Sequence, residues 1–289
     1  MKKIYLILFL PLLVPQVRIS DEFPVEKHCS ITYIANDGFL IDTGKNKILI
    51  DALFGNIDGN WCEQPSDSIC KLMLNGISPF DNINLVLISH RHADHFSAPM
   101  VITFLKNNIK TSLICPRQVN ELLQQQTGYN SVASRIISID PGKSPDTLLS
   151  INNTAIRVMK FSHGKFMIAD SITGELINIH EDVENIGFII HSEGFALFHS
   201  GDNTSVDPDD YLLYNIKNTA IDIAFFDKMF IRQEGMHIVN TQIAPANMVF
   251  MHIGPEQTEL LRSVTVGIPE IFIFTKSTET RIYHSGISE

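Results

Sequence analysis

Apolar residues in this chain fall in short runs of strand length, cut by Gly, Asn and Asp, more often than in stripes of helical period. Ile31–Ala35, Phe39–Asp42 and Lys47–Asp51 read as three short strands, separated by Asn-Asp-Gly and Gly-Lys-Asn turn signals. Trp61–Phe80 reads as a loop or a weakly helical insertion. Asn84–Ser89 is continuously apolar apart from its ends, the pattern of a central strand covered on both faces. Ser97–Asn107 has helical spacing, with Ser97 placed as N-cap and Pro99 tolerated in the first turn. Ser112–Cys115 then predicts a strand and Arg117–Gln126 a helix.

The same grammar repeats. Ala155–Phe161, Ile186–His191 and Phe195–Ser200 read as strands, and Asp207-Pro208 opens a helix reaching about Asn218. A strand at Ile221–Phe226, a helix over 234–244, a strand at Met248–Met251, a helix at Glu256–Val264 and a strand at Glu270–Phe274 follow. No low-complexity linker divides the halves. Two halves of strands interspersed with helices predict an α/β body with two sheets inside and helices outside, one domain over 21–289.

Composition narrows the classes. The 289 residues are 44% hydrophobic and 19% charged, an ordinary globular balance. The formal net charge is −10 and no basic block offers a phosphate-binding face, so no nucleic-acid partner is expected and a small-molecule substrate is. Four cysteines are too few to build a disulfide scaffold, although Cys62 and Cys70 enclose a short loop and are the pair that export would allow to join. Residues 1–20 start with Lys2 and Lys3 and then carry no charge from Ile4 to Val17. That run is short for a bilayer span and suits a removable signal peptide, so the reading is export (periplasmic or secreted) with no stable membrane span after processing. The residues before Asp21 lack a small-x-small cleavage pattern, and a buried first strand is the competing reading.

The chemistry concentrates in Ser89-His90-Arg91-His92-Ala93-Asp94-His95. Four candidate metal ligands stand within six residues directly after the buried strand. In open α/β architectures, ligands gather beyond strand ends, where loops converge without breaking the sheet. Imidazole suits Zn, Fe and Mn, and a carboxylate adds charge and hardness. A tight turn aims His90 and His92 at one ion and Asp94 and His95 at a second.

This pattern resembles the metallo-β-lactamase superfamily, whose signature is His-x-His-x-Asp-His after a strand; the resemblance extends over about residues 30–260. It implies a four-layer αβ/βα sandwich with a one- or two-metal site at its open edge. Asp51, ending a strand, matches the early Asp that orients the metal loop by hydrogen bonds. His163, in Phe-Ser-His-Gly, matches the third-motif histidine of the first ion, with His180 as the rival for that place. Asp202, in His-Ser-Gly-Asp, matches the carboxylate that bridges the two ions. His252, in Met-His-Ile-Gly-Pro, matches the last ligand and completes the second set with Asp94 and His95. The stretch Glu-Asn-Ile-Gly-Phe-Ile-Ile (184–190) is similar to the ascorbate-phosphate lactonase-like branch, and neither an RNA-clamping β-CASP insertion nor a rubredoxin tail is visible.

These resemblances imply a hydrolase in which one or two Zn²⁺ ions, or Mn or Fe in their place, activate a hydroxide against a small ester, lactone or phosphodiester, with Asp94 steering its proton. The alternatives are a non-hydrolytic metal-bound redox or sensor protein and a catalytically dead scaffold of the same fold. Substrate-contacting loops are expected at 54–80 and 164–182, where the pattern is irregular, with Phe54, Trp61 and Phe166 as pocket residues.

Overall fold

The structure, a computed structural model, describes residues 27–284 apart from 56 and 60. The leader read over residues 1–20 lies outside the described residues. Among the described residues no helix is long and apolar enough to cross a membrane.

The described residues open with six strands: β1 (His28–Ala35), β2 (Gly38–Asp42), β3 (Lys47–Ile50), β4 (Ile83–Leu87), β5 (Ser112–Pro116) and β6 (Ile136–Ile139), with helices α1 (Asp67–Leu74), α2 (Ala98–Asn107) and α3 (Arg117–Gln124) between them. β1, β2 and β3 pair antiparallel; β3 to β6 pair parallel. The second half carries β7 (Asp146–Ile151), β8 (Thr154–Phe161), β9 (Met167–Ala169), β10 (Leu176–Asn178), β11 (Asn185–Ser192), β12 (Phe195–His199), β13 (Ile223–Asp227), β14 (Asn247–Met251) and β15 (Ile271–Phe272), with α4 (Asp209–Leu212), α5 (Gln233–Ile238) and α6 (Thr258–Thr265). A last strand, β16 (Thr280–His284), crosses back and pairs antiparallel with β1. The sheets run β16-β1-β2-β3-β4-β5-β6 and β15-β14-β13-β12-β11-β8-β7, and β9 and β10 form a separate hairpin.

Side-chain alternation explains the layering. On β3, Ile48 and Ile50 point into the core between the sheets, and Leu49 points to the helices. On β13, Ile223 and Phe225 face that same core, and Ala224 and Phe226 face the other helical layer. Both faces are covered, so these strands read as unbroken apolar runs rather than as alternating ones. The Phe39 and Phe225 rings meet across the sandwich at 4.8 Å between centroids. The result is helix, sheet, sheet, helix: the αβ/βα sandwich implied by the metal motif.

Several expectations change. Trp61–Phe80 contains a full helix, α1, whose N-cap Ser66 accepts the Ile69 amide at 3.4 Å. The helix expected from Asp207 to Asn218 stops after α4, because Asn215 takes a left-handed φ of +48° and a separate 3₁₀ turn follows it. The strand expected at Glu270–Phe274 is shorter, Ile271–Phe272, and β6, β7 and β16 are strands that were not among those expected. The irregular stretch after His163 contains the β9–β10 hairpin. Cys62 and Cys70 are free thiols, and burial raises both, Cys62 to about 12.

Candidate metal centre

Topology brings the site together. β1 runs parallel to β3 and β4, because β2 lies between β1 and β3 with opposite sense. β8, β12, β13 and β14 likewise share one direction. The C-terminal ends of all these strands therefore deliver their loops to the open edge. From β1 comes Asp37, from β3 Asp51, and from β4 the loop 89–95. From the other sheet come His163 after β8, Asp202 after β12, Asp227 at the end of β13 and His252 after β14.

Two clusters of ligand atoms result, each with all its atoms within 4.8 Å of one another. The first holds His90, His92, His163 and Asp202; the second holds Asp37, His95, Asp202 and His252. Asp202 belongs to both. Its Oδ2 lies 3.6 Å from His90 Nε2, 3.4 Å from His163 Nε2 and 3.5 Å from His252 Nε2, and its Oδ1 lies 3.2 Å from His95 Nε2. Ligands bound at about 2.0–2.2 Å to one tetrahedral ion lie about 3.3–3.6 Å from each other, so these spacings are those of donors around a common centre.

The outer hydrogen bonds fix which nitrogen faces inward. Ser89 Oγ donates to Asp51 Oδ2 at 2.5 Å and so accepts from His90 Nδ1 at 3.0 Å. His95 Nδ1 pairs with Asp51 Oδ2 at 3.1 Å, and His163 Nδ1 donates to the Gly164 carbonyl at 2.8 Å. In His90 and His163 the proton sits on Nδ1, and the Nε2 lone pair is left for the centre; Asp51 holds the His95 ring in the same orientation, with Nε2 inward. His90 Nε2 and His163 Nε2 then face each other at 3.3 Å as two acceptors, an arrangement that a cation between them satisfies.

Buried polar atoms without partners give the second test. Asp37 Oδ1 and Oδ2, His95 Nε2 and Asp202 Oδ1 are all buried and make no hydrogen bond. All four belong to the second cluster. Native interiors rarely leave such atoms unpaired, and a coordinated ion accounts for every one. The donor set therefore fits divalent metal.

Charge divides the clusters. Burial, then the neighbouring His95, hold His90 well below the ordinary imidazole value; burial, then His163 and His180, lower His92 to about 4. These rings are neutral and ready to ligate. Burial also disfavours charge on His95 and His252, but the carboxylates outweigh it. Asp202 and Asp94 raise His95 well above its usual range, and Asp202 and Asp37 bring His252 to about 10. The carboxylates thus favour the charged form of both rings, and a metal bound there would have to displace their protons.

Each expected residue can now be placed. His90, His92, His95, His163, Asp202 and His252 stand in the two clusters. Asp51 supports from behind, accepting from the Ser89 amide at 2.8 Å as well as from Ser89 Oγ and His95. Asp94 borders the second cluster, its Oδ2 at 3.3 Å from His252 Nε2 and 3.4 Å from His95 Nε2, and takes a hydrogen bond from Asn36 Nδ2 at 3.0 Å. His180 is outside both clusters. It is half-buried, its ring packs 4.5 Å from His163 and 4.7 Å from His92, and its Nδ1 meets the Gly164 carbonyl at 3.1 Å.

Three residues were missed. Asp37 looked like an ordinary Asn-Asp-Gly turn, and only the parallel sense of β1 and β3 could have marked that turn as lying at the metal edge. Asp227 ends an apolar strand, the same signal that singled out Asp51; its Oδ2 sits 3.5 Å from His252 Nδ1. Asn185 accepts the Asp202 amide at 3.2 Å and donates to the Ser200 carbonyl at 3.3 Å. Gly201 takes φ +56°, and a Cβ there would meet Asn185 Oδ1 at 2.3 Å, so only glycine allows Asn185 to hold the turn before Asp202. Glu184 caps α3 through the Gln118 amide at 2.9 Å and pairs with Arg117. The stretch 184–190 thus has architectural work in this structure.

Arg91 stands inside the metal motif but turns outward, to Asp182 at 3.1 Å on the exposed surface. Such pairs contribute roughly 0–1 kcal/mol. Arg91→Ala is expected to leave metal content unchanged and to shift thermal unfolding by no more than a few degrees; a lost metal ion would show that the pair shapes the loop.

Comparison with known proteins agrees with this geometry. The sequence model of the beta-lactamase superfamily domain matches residues 46–266. No curated protein matches the chain significantly. Among solved structures, the chain is similar to a novel metallo hydrolase from the archaeon Ignicoccus hospitalis, with 15% identity and a TM-score of 0.56 over 89% of this chain and 98% of that one. It is similar to an isothiocyanate hydrolase from Delia radicum gut bacteria, with 14% identity and a TM-score of 0.58 over 89% and 100%. It also matches CmlA, a diiron beta-hydroxylase from Streptomyces venezuelae, with 12% identity and a TM-score of 0.55 over 90% of this chain and 54% of that one. Two sheets between helices, two abutting His/Asp clusters at their open edge and a family match over most of the sequence lead to one assignment: the chain belongs to the beta-lactamase superfamily and has the metallo-β-lactamase fold.

Proposed function

We infer that this protein is a metal-dependent hydrolase acting on a small ester, lactone or phosphodiester, with zinc as the resident ion and manganese or iron accepted by the same kinds of donor. The observation that carries this reading is the pair of ligand clusters sharing Asp202, with four buried atoms that a cation would satisfy. A bound divalent ion would lower the pKa of its water from about 16 to near 7 and polarise a carbonyl or phosphoryl oxygen.

The chain's own groups do the rest. His90, His92, His163 and Asp202 would hold the first ion, and Asp94, His95, Asp202 and His252 the second. Asp94, held by Asn36, would orient the attacking water and steer its proton. Beside these residues opens a cleft of about 390 Å³ lined by Trp61, Lys165, Phe166 and His180. That volume is near the lower end for ligand pockets, which favours a small substrate. Trp61 and Phe166 offer apolar walls, Lys165 a cation for an anionic group, and His180 a substrate contact. The lactone option follows the likeness of residues 184–190 to the ascorbate-phosphate lactonase-like branch; the family match is to the superfamily. Export is part of the same reading and rests on the polarity change at Asp21.

The test is metal content by plasma mass spectrometry on full-length protein purified without added metal or chelator, wild type beside His92→Ala, followed by chromogenic esters, lactones and phosphodiesters. About two ions per chain, reduced in the variant, with turnover that falls in parallel, is the expected result. A well-folded wild type that takes up no metal after reconstitution overturns the proposal. Visible absorbance from iron without hydrolytic turnover would put a redox role in its place.

A further inference from the structure

We propose that Asp37, on the β1–β2 turn, is a direct ligand of the second ion, and that it makes this site oxygen-rich enough to differ from the first in metal preference. This rests on the metal-dependent reading above and extends its ligand set.

Asp37 is fully buried, unlike an ordinary turn aspartate, which faces water. Neither carboxylate oxygen has a hydrogen-bond partner. Its Oδ2 lies 3.5 Å from His95 Nε2, and its ligand atom falls within the same 4.8 Å cluster as those of Asp202 and His252. Three carboxylates, Asp37, Asp94 and Asp202, thus surround one imidazole nitrogen that has no hydrogen-bond partner of its own. Like charges this close in a buried space persist when a cation lies between them.

The turn is built to deliver this side chain. Asn36 adopts a left-handed φ of +50°, which asparagine tolerates, and its amide holds Asp94 from the other side at 3.0 Å. At Gly38 a Cβ would lie 2.9 Å from the Ala35 and Asp51 carbonyl oxygens and 3.0 Å from Ala52 Cα, so glycine alone lets the turn pack against the strand that ends in Asp51. Asn36, Asp37 and Gly38 each have a task at the metal edge, beyond the reversal that this triplet signals in a sequence.

The two sites then differ in donor chemistry. The first offers three imidazoles and one shared carboxylate, a nitrogen-rich set suited to tetrahedral zinc. The second offers two imidazoles and three carboxylates, a harder set of higher coordination capacity that accommodates manganese or ferrous iron better than a zinc-type site does.

The test uses the full chain stripped by chelation and reloaded with one equivalent of zinc, then titrated with Mn²⁺. Free Mn²⁺ is followed by its electron paramagnetic resonance signal and zinc by plasma mass spectrometry. Wild type is expected to keep its zinc and bind one Mn²⁺. Asp37→Asn, nearly equal in volume, is expected to keep the zinc and bind Mn²⁺ about 100-fold more weakly or worse, since even outer-shell partners of ligands are worth 10–100-fold. Circular dichroism and thermal melting of the metal-free proteins establish that the variant is folded; if Asp37→Asn is not, Asp37→Ser is read in the same way. Unchanged Mn²⁺ affinity in a folded variant overturns the role of Asp37 while leaving the hydrolase reading intact. A wild type that binds zinc but no Mn²⁺ overturns the difference in preference. A wild type that binds neither metal overturns the metal-dependent reading itself, and this inference with it.

Discussion

Asp202→Asn is expected to lower hydrolytic turnover by about 10³-fold and to reduce the bound metal from about two ions per chain to one or none. Asp202 is the only residue common to both ligand clusters among the described residues. One of its oxygens faces three imidazoles and the other faces His95. An amide keeps the volume but turns one oxygen into an NH₂ donor that cannot ligate, and it removes the negative charge. Polarisation by metal is worth several kcal/mol in the transition state, and each 1.36 kcal/mol is tenfold in rate, which sets the expected loss at about 10³. The backbone turn should keep its shape without metal, because it is held from outside: Asn185 accepts the Asp202 amide, and the Gly164 amide donates to the Asp202 carbonyl at 2.8 Å. Metal content, kcat and melting temperature measured on the same preparation separate these effects. Full activity with a single ion would show that the shared carboxylate is not needed and that a one-ion mechanism operates.

Asp51→Ala is expected to damage stability and metal affinity together. Asp51 is fully buried and accepts from three donors: the Ser89 amide, Ser89 Oγ and His95 Nδ1. Each buried donor left without a partner costs about 1–3 kcal/mol. Alanine at the left-handed φ of +44° adds about 1–2 kcal/mol more. The sum is roughly 4–11 kcal/mol if no water enters, and at about 2–4 °C per kcal/mol the metal-free protein should melt roughly 10–40 °C lower. Loss of this support also frees the His90 and His95 rings to turn, which should weaken metal binding by about 10–100-fold. Asp51→Asn is the informative partner. Asparagine tolerates positive φ and retains one acceptor oxygen for the Ser89 amide, so its melting temperature should recover about half of the loss. Its NH₂ still cannot accept from Ser89 or His95, so the metal defect should persist. Melting curves and metal titrations on both variants check this, and an unchanged melting temperature for Asp51→Ala would refute the role.

What could be read in the residues alone is what depends on local order. The His90–His95 motif is visible because one short loop carries four of the candidate ligands, and its chemistry survives without knowledge of anything else. Asp51, Asp202 and His252 are visible because each ends or follows an unbroken apolar run, and a run buried on both faces is itself a local signal. Elements with strong patterns, such as β3, β4, β11 and β13, were placed to within a residue or two. Weakly patterned strands were not: β7 has one edge and partial exposure, and β16 belongs to a sheet whose other strands lie more than 130 residues away.

What only the tertiary structure decided is what depends on direction and distance across the chain. Asp37 and Asp227 join the site because antiparallel pairing returns β1 to the sense of β3, and parallel pairing sets β13 beside β12 and β14. The division between His163 and His180 is likewise a matter of packing: both follow strand-like segments, but only His163 has Nδ1 tied to its own loop and Nε2 in the cluster. The motif announces donors for a metal at a strand end. How many carboxylates meet there is set by the sense in which distant strands run, because a shared edge collects residues that no local spacing connects.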